Sequence, residues 1–397
     1  MLVEFCFKNF KSFKQEAALD LSATKMTEFS ESLILKGNEK LLPVSVLFGA
    51  NASGKSTVFD AYKFMTDMVV GQFWGNEACS FTQKPFLFDS FYKEKETVFE
   101  IYFMLEDDIR DRIYNYGFSI LKNQITAEWL NVKARTTKNY RIVFSRKGNN
   151  IIKSILSRNE TELLEKVISD NVLIATAAKN LKIYSCSNIY DFFKKNVFAS
   201  EDIGKEFLAK DLSKEFIDDK EFLSNMLDTF RTFDKTITGL RVDKNLEKKI
   251  LFTHKKYDGT GSIEIPIEME SRGVRKLFSL FPKIHKVLST GGVLFVDEID
   301  SGFHTFLVRS FIKSVMDKSF NKNQAQFIFT TNDVCQLSNE ILRRDEIWFI
   351  EKDDKGESSM FSLADIVDEF GIGIRKDESF SKNYLAGKYG AVPDMLE

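Results

Sequence analysis

Residues 49–56 read Gly-Ala-Asn-Ala-Ser-Gly-Lys-Ser. This is the GxxxxGK[ST] pattern of a phosphate-binding loop, a pattern that means little unless a strand precedes it and a helix follows. Both flanks are right. Residues 44–48, Val-Ser-Val-Leu-Phe, are a short apolar strand running straight into Gly49. From Ser56 to Val70, Phe59, Tyr62, Met65 and Val69 recur at helical spacing. The residue types suit the task. Gly49 and Gly54 let backbone amides converge on phosphates with no Cβ in the way. Lys55 neutralises the β and γ phosphates, Ser56 offers a hydroxyl to Mg²⁺, and the helix N-terminus adds its positive end. Asn51, Ala52, Ser53 and Thr57 complete the set expected to surround a nucleotide.

Residues 293–298, Val-Leu-Phe-Val-Asp-Glu, describe a buried strand that delivers two carboxylates at its C-terminal end. Ligands bind at that end of open α/β sheets. Asp297 is expected in the Mg²⁺ shell, as a Walker B aspartate is. Glu298 is suited to orient or deprotonate an attacking water. No guanine-reading NKxD stretch occurs, so ATP with Mg²⁺ is the expected pair.

Further out, residues 2–10 alternate as a short edge strand would, and 97–145 read as several strands broken by polar turns. The acidic run Glu106-Asp107-Asp108 fits a hairpin turn better than a metal site. From about Asn159 the apolar period becomes helical, and 151–236 read as an inserted helical lobe. Strands are expected near Leu240–Phe252 and Ser262–Ile267. Then come a helix (Arg275–Leu288), a strand (Val293–Val296), a helix (Thr305–Lys318) and strands at Gln326–Phe329 and Glu346–Ile350. That alternation indicates a parallel sheet covered by helices. The expected division is 1–150, 151–236 and 237–397, with the first and last parts forming one ATPase head.

Composition removes several classes. Among 397 residues, 56 Lys and Arg balance 58 Asp and Glu, which argues against a wholesale nucleic-acid coat. No apolar run approaches the roughly 20 residues of a membrane span, and no secretory signal opens the chain. Cys6, Cys79, Cys186 and Cys335 form no CxxC pair, so buried free thiols in a reducing, cytoplasmic setting are expected. His254, His285 and His304 share no metal-ligand spacing. Phe is abundant at 39 residues and Pro scarce at 5, which suits large cores without Pro-rich linkers.

Val3-Glu4-Phe5-Cys6-Phe7-Lys8-Asn9-Phe10-Lys11-Ser12-Phe13, the loop at Gly49, Glu270-Ser271-Arg272-Gly273 and Phe295-Val296-Asp297-Glu298-Ile299-Asp300 together resemble the ABC-type ATPases of the SMC, RecF and OLD lineage. More narrowly they resemble the RloA and AbiLi-like ATPases of bacterial phage defence, and the tail Asn383–Pro393 is similar to that subgroup's C-terminus. The resemblance implies an ABC-type P-loop head with an antiparallel β subdomain and a helical insertion. It implies that Ser271 and Gly273 form a reduced signature touching the γ-phosphate of ATP bound by another protomer; a Ser-Arg-Gly turn capping a helix is the plainer reading. Asp300 and Ser301 fall at the D-loop. His304 falls at the histidine that follows it, or is an ordinary helix-start residue. Gln83, before Pro85-Phe86, is the candidate for the glutamine that reaches the metal. Thr330-Thr331-Asn332-Asp333 occupies the switch, with Asn332 where histidine is usual. Asparagine can hydrogen-bond a phosphate or water but carries no proton or charge. Glu298, Lys55 and Asn332 are thus the implied catalytic set.

The resemblance also implies a homodimer or larger homo-oligomer closing on ATP between its heads, and a separate nuclease-type effector (TOPRIM or RloB-like). Phage or DNA is the implied trigger, and no membrane is involved. The alternative is a RecF- or SMC-type repair ATPase using Lys133–Arg141 or Lys244–Lys256 on DNA phosphates; as a plain pattern those stretches read as solvated faces. A nuclease fused in the same chain is not expected, since only 64 residues follow Asp333.

Overall fold

The computed structural model describes residues 1–71, 81–134, 137, 139–200, 220–243, 249–368 and 370–392. The chain opens with β1 (Leu2–Lys8) and β2 (Ala17–Asp20), then a small hairpin of β3 (Ile34–Lys36) and β4 (Glu39–Leu41). Strand β5 (Val44–Phe48) leads through the Gly49 loop into α1 (Lys55–Val70), and one turn, α2 (Ser90–Lys93), follows. Next come β6 (Thr97–Met104), β7 (Ile113–Leu121), β8 (Gln124–Lys133), β9 (Arg141–Lys147) and β10 (Asn150–Ser154). Helices α3 (Arg158–Glu165), α4 (Ile174–Asn180) and α5 (Tyr184–Lys194) lead to β11 (Val197–Ala199). Helix α6 (Lys220–Phe233) precedes β12 (Ile237–Asp243), β13 (Lys249–Lys255) and β14 (Ser262–Pro266). The last part runs α7 (Arg272–Thr290), β15 (Val293–Val296), α8 (Thr305–Met316), β16 (Gln326–Thr330), β17 (Ile347–Lys352), β18 (Ser358–Ser362) and α9 (Phe380–Leu385).

The sheet that carries the motifs has six strands in the order β11-β15-β16-β5-β17-β18. Its strands are parallel except for β18, which returns antiparallel on β17. Each of β5, β15 and β16 is buried at every position, as befits strands covered on both faces. Their register sets Val296 opposite Phe329, and Thr330 opposite Leu47. The ends of β5, β15 and β16 therefore meet at one edge, where the two acids and the Gly49 loop emerge.

A seven-stranded antiparallel sheet, β10-β9-β8-β7-β6-β1-β2, forms the second layer. Strand β1 is not the edge strand its short alternation predicts. It lies between β6 and β2, bonded to both, and its residues Leu2, Phe5 and Phe7 enter the main core. Its alternation with Glu4 and Lys8 mimicked a one-sided strand, yet both of those side chains are partly buried. Helix α1 lies in the same core through Phe59, Tyr62 and Met65. Much of the Phe excess is spent here: Phe7 meets Phe10 and Phe13, and Phe59 meets Phe295, edge to face.

The 151–236 stretch is only partly the helical lobe its period predicts. Strand β10 extends the antiparallel sheet, and β11 pairs in parallel with β15. Helices α4 and α5 share one core with β1 and α1 through Ala175, Ala177, Ala178 and Phe193. Small alanines let α4 approach closely, and Glu128 of β8 caps its N-terminus by accepting the Ile174 and Ala175 amides at 2.7 and 3.1 Å. Only α6 departs. Its Phe222, Met226 and Phe230 pack with Phe252 and Phe278 under the small sheet β12-β13-β14. The period showed which faces are apolar; the partners that cover them come from distant parts of the chain.

The Glu106–Asp108 run is the turn between β6 and β7, with Asp108 bound to Arg112 and Tyr114. Cys6 and Cys186 are buried, whereas Cys335 is exposed, contrary to expectation; Cys79 lies outside the described residues. Parts of both basic stretches, residues 135, 136, 138 and 244–248, also lie outside them, as do 393–397 of the tail. The described part of the tail is docked on β17: the Phe349 ring lies 5.4 Å from Tyr384 and 5.7 Å from Tyr389. No described helix is long and apolar enough to cross a membrane.

Candidate nucleotide site

The Gly49 loop forms because the backbone there admits nothing larger. A Cβ on Gly49 would fall 2.2 Å from the Ile350 carbonyl oxygen, and one on Gly54 would fall 2.6 Å from the Ser358 hydroxyl. Gly54 has φ +121° and Ala52 φ +65°, both in left-handed backbone space. Such turns aim successive amides into one concavity, which is an anion cradle. The β17–β18 hairpin braces it: Ser358 donates to the Ser53 carbonyl at 2.6 Å, and the Ser358 amide donates to Ser12 at 2.7 Å. Ser12 in turn meets the Thr57 hydroxyl at 3.3 Å.

Lys55 begins α1 and is buried, with its ammonium on the Gly49 and Ala50 carbonyls at 2.7 and 2.8 Å. Burial lowers its pKa, while Glu298, Asp297 and Asp300 act in the opposite sense. Asn51, Ala52 and Ser56 are exposed around the mouth, and Ser53 and Thr57 are buried beneath it. The buried Ser53 hydroxyl has no hydrogen-bond partner among the described residues.

Asp297 and Glu298 follow β15 and are held from two sides. The Asp297 amide donates to Ala199 of β11 at 2.8 Å. The Thr330 hydroxyl, at the end of β16, donates to the Asp297 carboxylate at 2.6 Å and accepts the Glu298 amide at 2.7 Å. Glu298 has φ +52°, a left-handed conformation uncommon outside glycine, asparagine and aspartate. The residues therefore fit a magnesium nucleotide: a backbone cradle, a buried lysine, an exposed Ser56 hydroxyl and an oriented aspartate. Ser56 and Asp297 would hold the metal, and Gly49–Thr57 the phosphates.

Ser271 caps α7, accepting the Val274 amide at 3.2 Å. Ser271 thus makes the helix cap of the plainer reading, and the helix starts at Arg272 rather than Arg275. The turn is also bound to the D-loop of its own chain. Arg272 donates to the Ser301 hydroxyl at 2.6 Å, and a Cβ on Gly273 would fall 2.9 Å from the Gly302 carbonyl. His304 takes its helix-start role, accepting the Phe306 amide at 3.3 Å as the N-cap of α8.

Gln83, the expected glutamine of the metal, is placed differently. Gln83 donates to the Lys95 carbonyl at 2.9 Å and to Thr97 at 3.2 Å, and accepts the Lys122 amide at 2.7 Å. It ties the start of β6 to the β7–β8 turn, so its amide is committed away from the loop. Asn332 is exposed beyond the end of β16, while Thr330 and Thr331 before it are fully buried. The residues that sequence reasoning missed are Thr330 and Ser358. The first stood in the quoted switch stretch, but nothing local marks a threonine as a carboxylate's partner.

Residues 44–333 match the family described as AAA domain, putative AbiEii toxin, Type IV TA system. No curated protein matches the chain. Among solved structures it is similar to the Smc head domain with an extended coiled coil bound to the C-terminal domain of ScpA, from Pyrococcus furiosus. Identity there is 15% over 91% of this chain and 96% of that one, with a TM-score of 0.44. The Smc head with coiled coil and joint from Pyrococcus yayanosii gives 12% over 91% and 97%, TM-score 0.44. CbiO1 of Clostridium perfringens, part of the ABC transporter complex cbiONQ, gives 12% over 98% and 92%, TM-score 0.34. The mixed α/β architecture, a mainly parallel six-stranded sheet with the Gly49 loop between β5 and α1, is that of a P-loop ATPase. The family match opens on the first residue of β5 and ends just past β16, enclosing the Gly49 loop, the Ser271 turn, the two acids after β15 and the Thr330 stretch, and the chain belongs to that AAA-domain family of P-loop ATPases.

Proposed function

We propose that this chain hydrolyses ATP with Mg²⁺ in a head-to-head homodimer, and that the resulting closure and opening regulate a separate effector in anti-phage defence. The observation that carries the hydrolytic part is the Thr330 hydroxyl, which joins the Asp297 carboxylate and the Glu298 amide beside the Lys55 loop. Lys55 and the Gly49–Thr57 amides bind and orient the phosphates. Asp297 and Ser56 would hold the metal, which when bound supplies charge neutralisation to the phosphates. Glu298 orients water and accepts its proton. Ser271 and Gly273 sit at an exposed helix start, suited to donate to the γ-phosphate of a second copy. The defence role is supported by the family description, which names a putative AbiEii toxin.

The test compares wild type, Lys55→Ala and Glu298→Gln. Lys55→Ala is expected to lose nucleotide binding. Glu298→Gln is expected to bind ATP, stop turning over and shift to a dimer by light scattering. Equal turnover in Glu298→Gln and wild type would remove Glu298 from the mechanism. Strong stimulation of the ATPase by DNA alone would favour the RecF-type reading over an effector partner.

A further inference from the structure

Glu298 is held by its backbone as much as by its neighbours' side chains. Its amide donates to Thr330, and its carbonyl accepts the Lys276 ammonium at 2.6 Å. The same ammonium lies 3.3 Å from the Ile299 carbonyl and 5.2 Å from the centre of the Phe303 ring. Lys276 belongs to the second turn of α7, one turn beyond Ser271 and on a different element from the acid it touches. A lysine ammonium is strongly hydrated and ordinarily extends to solvent. Here it is half-buried and donates to two carbonyls of one loop.

The left-handed φ of +52° at Glu298 makes this contact specific. In that conformation the carbonyl turns toward α7, and the side chain leaves the strand in a direction a right-handed backbone would not give. The contact is reinforced at two other points, the Arg272–Ser301 hydrogen bond and the close approach of Gly273 to the Gly302 carbonyl. The first turns of α7 and the loop 298–303 are thus keyed together, and a shift of one drags the other.

We propose that Lys276 is a positioning residue: by clamping the Glu298 carbonyl it sets the aim of that carboxylate and couples it to the position of the Ser271 turn. The proposal rests on the ATPase reading above. In the dimer, Ser271 and Gly273 of one copy meet the nucleotide held by the other. Engagement there would pass through Lys276 to Glu298 of the same chain, so the two ATP sites would not act independently.

The test uses the full-length wild type, Glu298→Gln, Lys276→Met and Lys276→Arg. Steady-state ATPase is measured against ATP concentration, with affinity taken separately from a fluorescent ATP analogue. In Lys276→Met, kcat is expected to fall about tenfold or more with affinity within about twofold, a loss confined to the transition state. The Hill coefficient is expected to fall to 1, and Lys276→Arg, which keeps a cation on the carbonyl, to restore most of the rate. A wild type that hydrolyses ATP, a Glu298→Gln that does not, and a Lys276→Met with wild-type kcat and Hill coefficient would overturn the clamp and leave the ATPase reading standing. A Glu298→Gln with wild-type turnover would overturn both. Should Lys276→Met melt early, Ser301→Ala loosens the same key from the other side: a retained kcat with lost cooperativity supports the coupling, and unchanged cooperativity overturns it.

Discussion

The Thr330 hydroxyl donates to the Asp297 carboxylate at 2.6 Å, across neighbouring parallel strands β16 and β15. One hydroxyl orients the expected metal ligand and, by accepting the next amide, the expected base. Thr330 has no exposed surface, so water cannot take over either bond. Thr330→Val keeps the shape and removes both bonds. Stability is expected to fall by about 1–3 kcal/mol, the cost of leaving buried polar groups unpaired. ATPase activity is expected to fall further than nucleotide affinity. Thr330→Ser, which retains the hydroxyl, is expected to recover most of the rate. A Thr330→Val enzyme with wild-type kcat would show that the bridge has no part in turnover.

The second relationship concerns architecture. Glu128 and Arg146 are both fully buried and lie 3.2 Å apart. Glu128 also accepts the Tyr116 hydroxyl at 3.0 Å and the two amides that open α4. Burial raises its pKa, against the pull of Arg146 and those hydrogen bonds. Glu128→Ala leaves a buried guanidinium and a bare helix end. It is expected to cost about 3–5 kcal/mol, as removing one partner of a buried pair does. Urea denaturation measures it. A loss under about 1 kcal/mol, the level of an exposed ion pair, would place α4 outside the cooperative core.

The third concerns pH. Glu346 lies at the entry to β17, beside the strand that leads to the Gly49 loop, and it is fully buried. Burial pushes its carboxyl up to about 8, against the hydrogen bond donated by the Arg343 amide. The folded chain therefore keeps this proton at pH values where the unfolded chain has released it. Its stabilising effect is complete below the usual carboxylate range and is lost as pH rises toward about 8. The slope is about 1.4 kcal/mol per pH unit for one such group. Glu346→Gln is expected to flatten that part of the melting-temperature profile and to stabilise the protein most near pH 8. A parallel profile in mutant and wild type would count against a neutral Glu346.

How far the sequence reaches depends on whether a signal is local. The Gly49–Ser56 loop, strand β5 before it, α1 after it and the acids that follow β15 are contiguous stretches whose chemistry is complete within a few residues. The sequence by itself determined those, and with the alternation of β15, α8 and β16 it determined a parallel ATPase sheet. Tertiary structure decided the rest. Whether β1 is an edge strand depends on β6 and β2, which pair with it from both sides. Whether α4 and α5 are an arm depends on a core assembled from β1, α1 and β7. The fate of Gln83 was set by Thr97 and Lys122, and the aim of Glu298 by Thr330 and Lys276. A periodic pattern states which face of an element seeks cover, and a motif states which atoms a ligand needs. Neither states which distant carbonyl, hydroxyl or ring will lie against it, because that contact exists only once the chain has closed the loop between them.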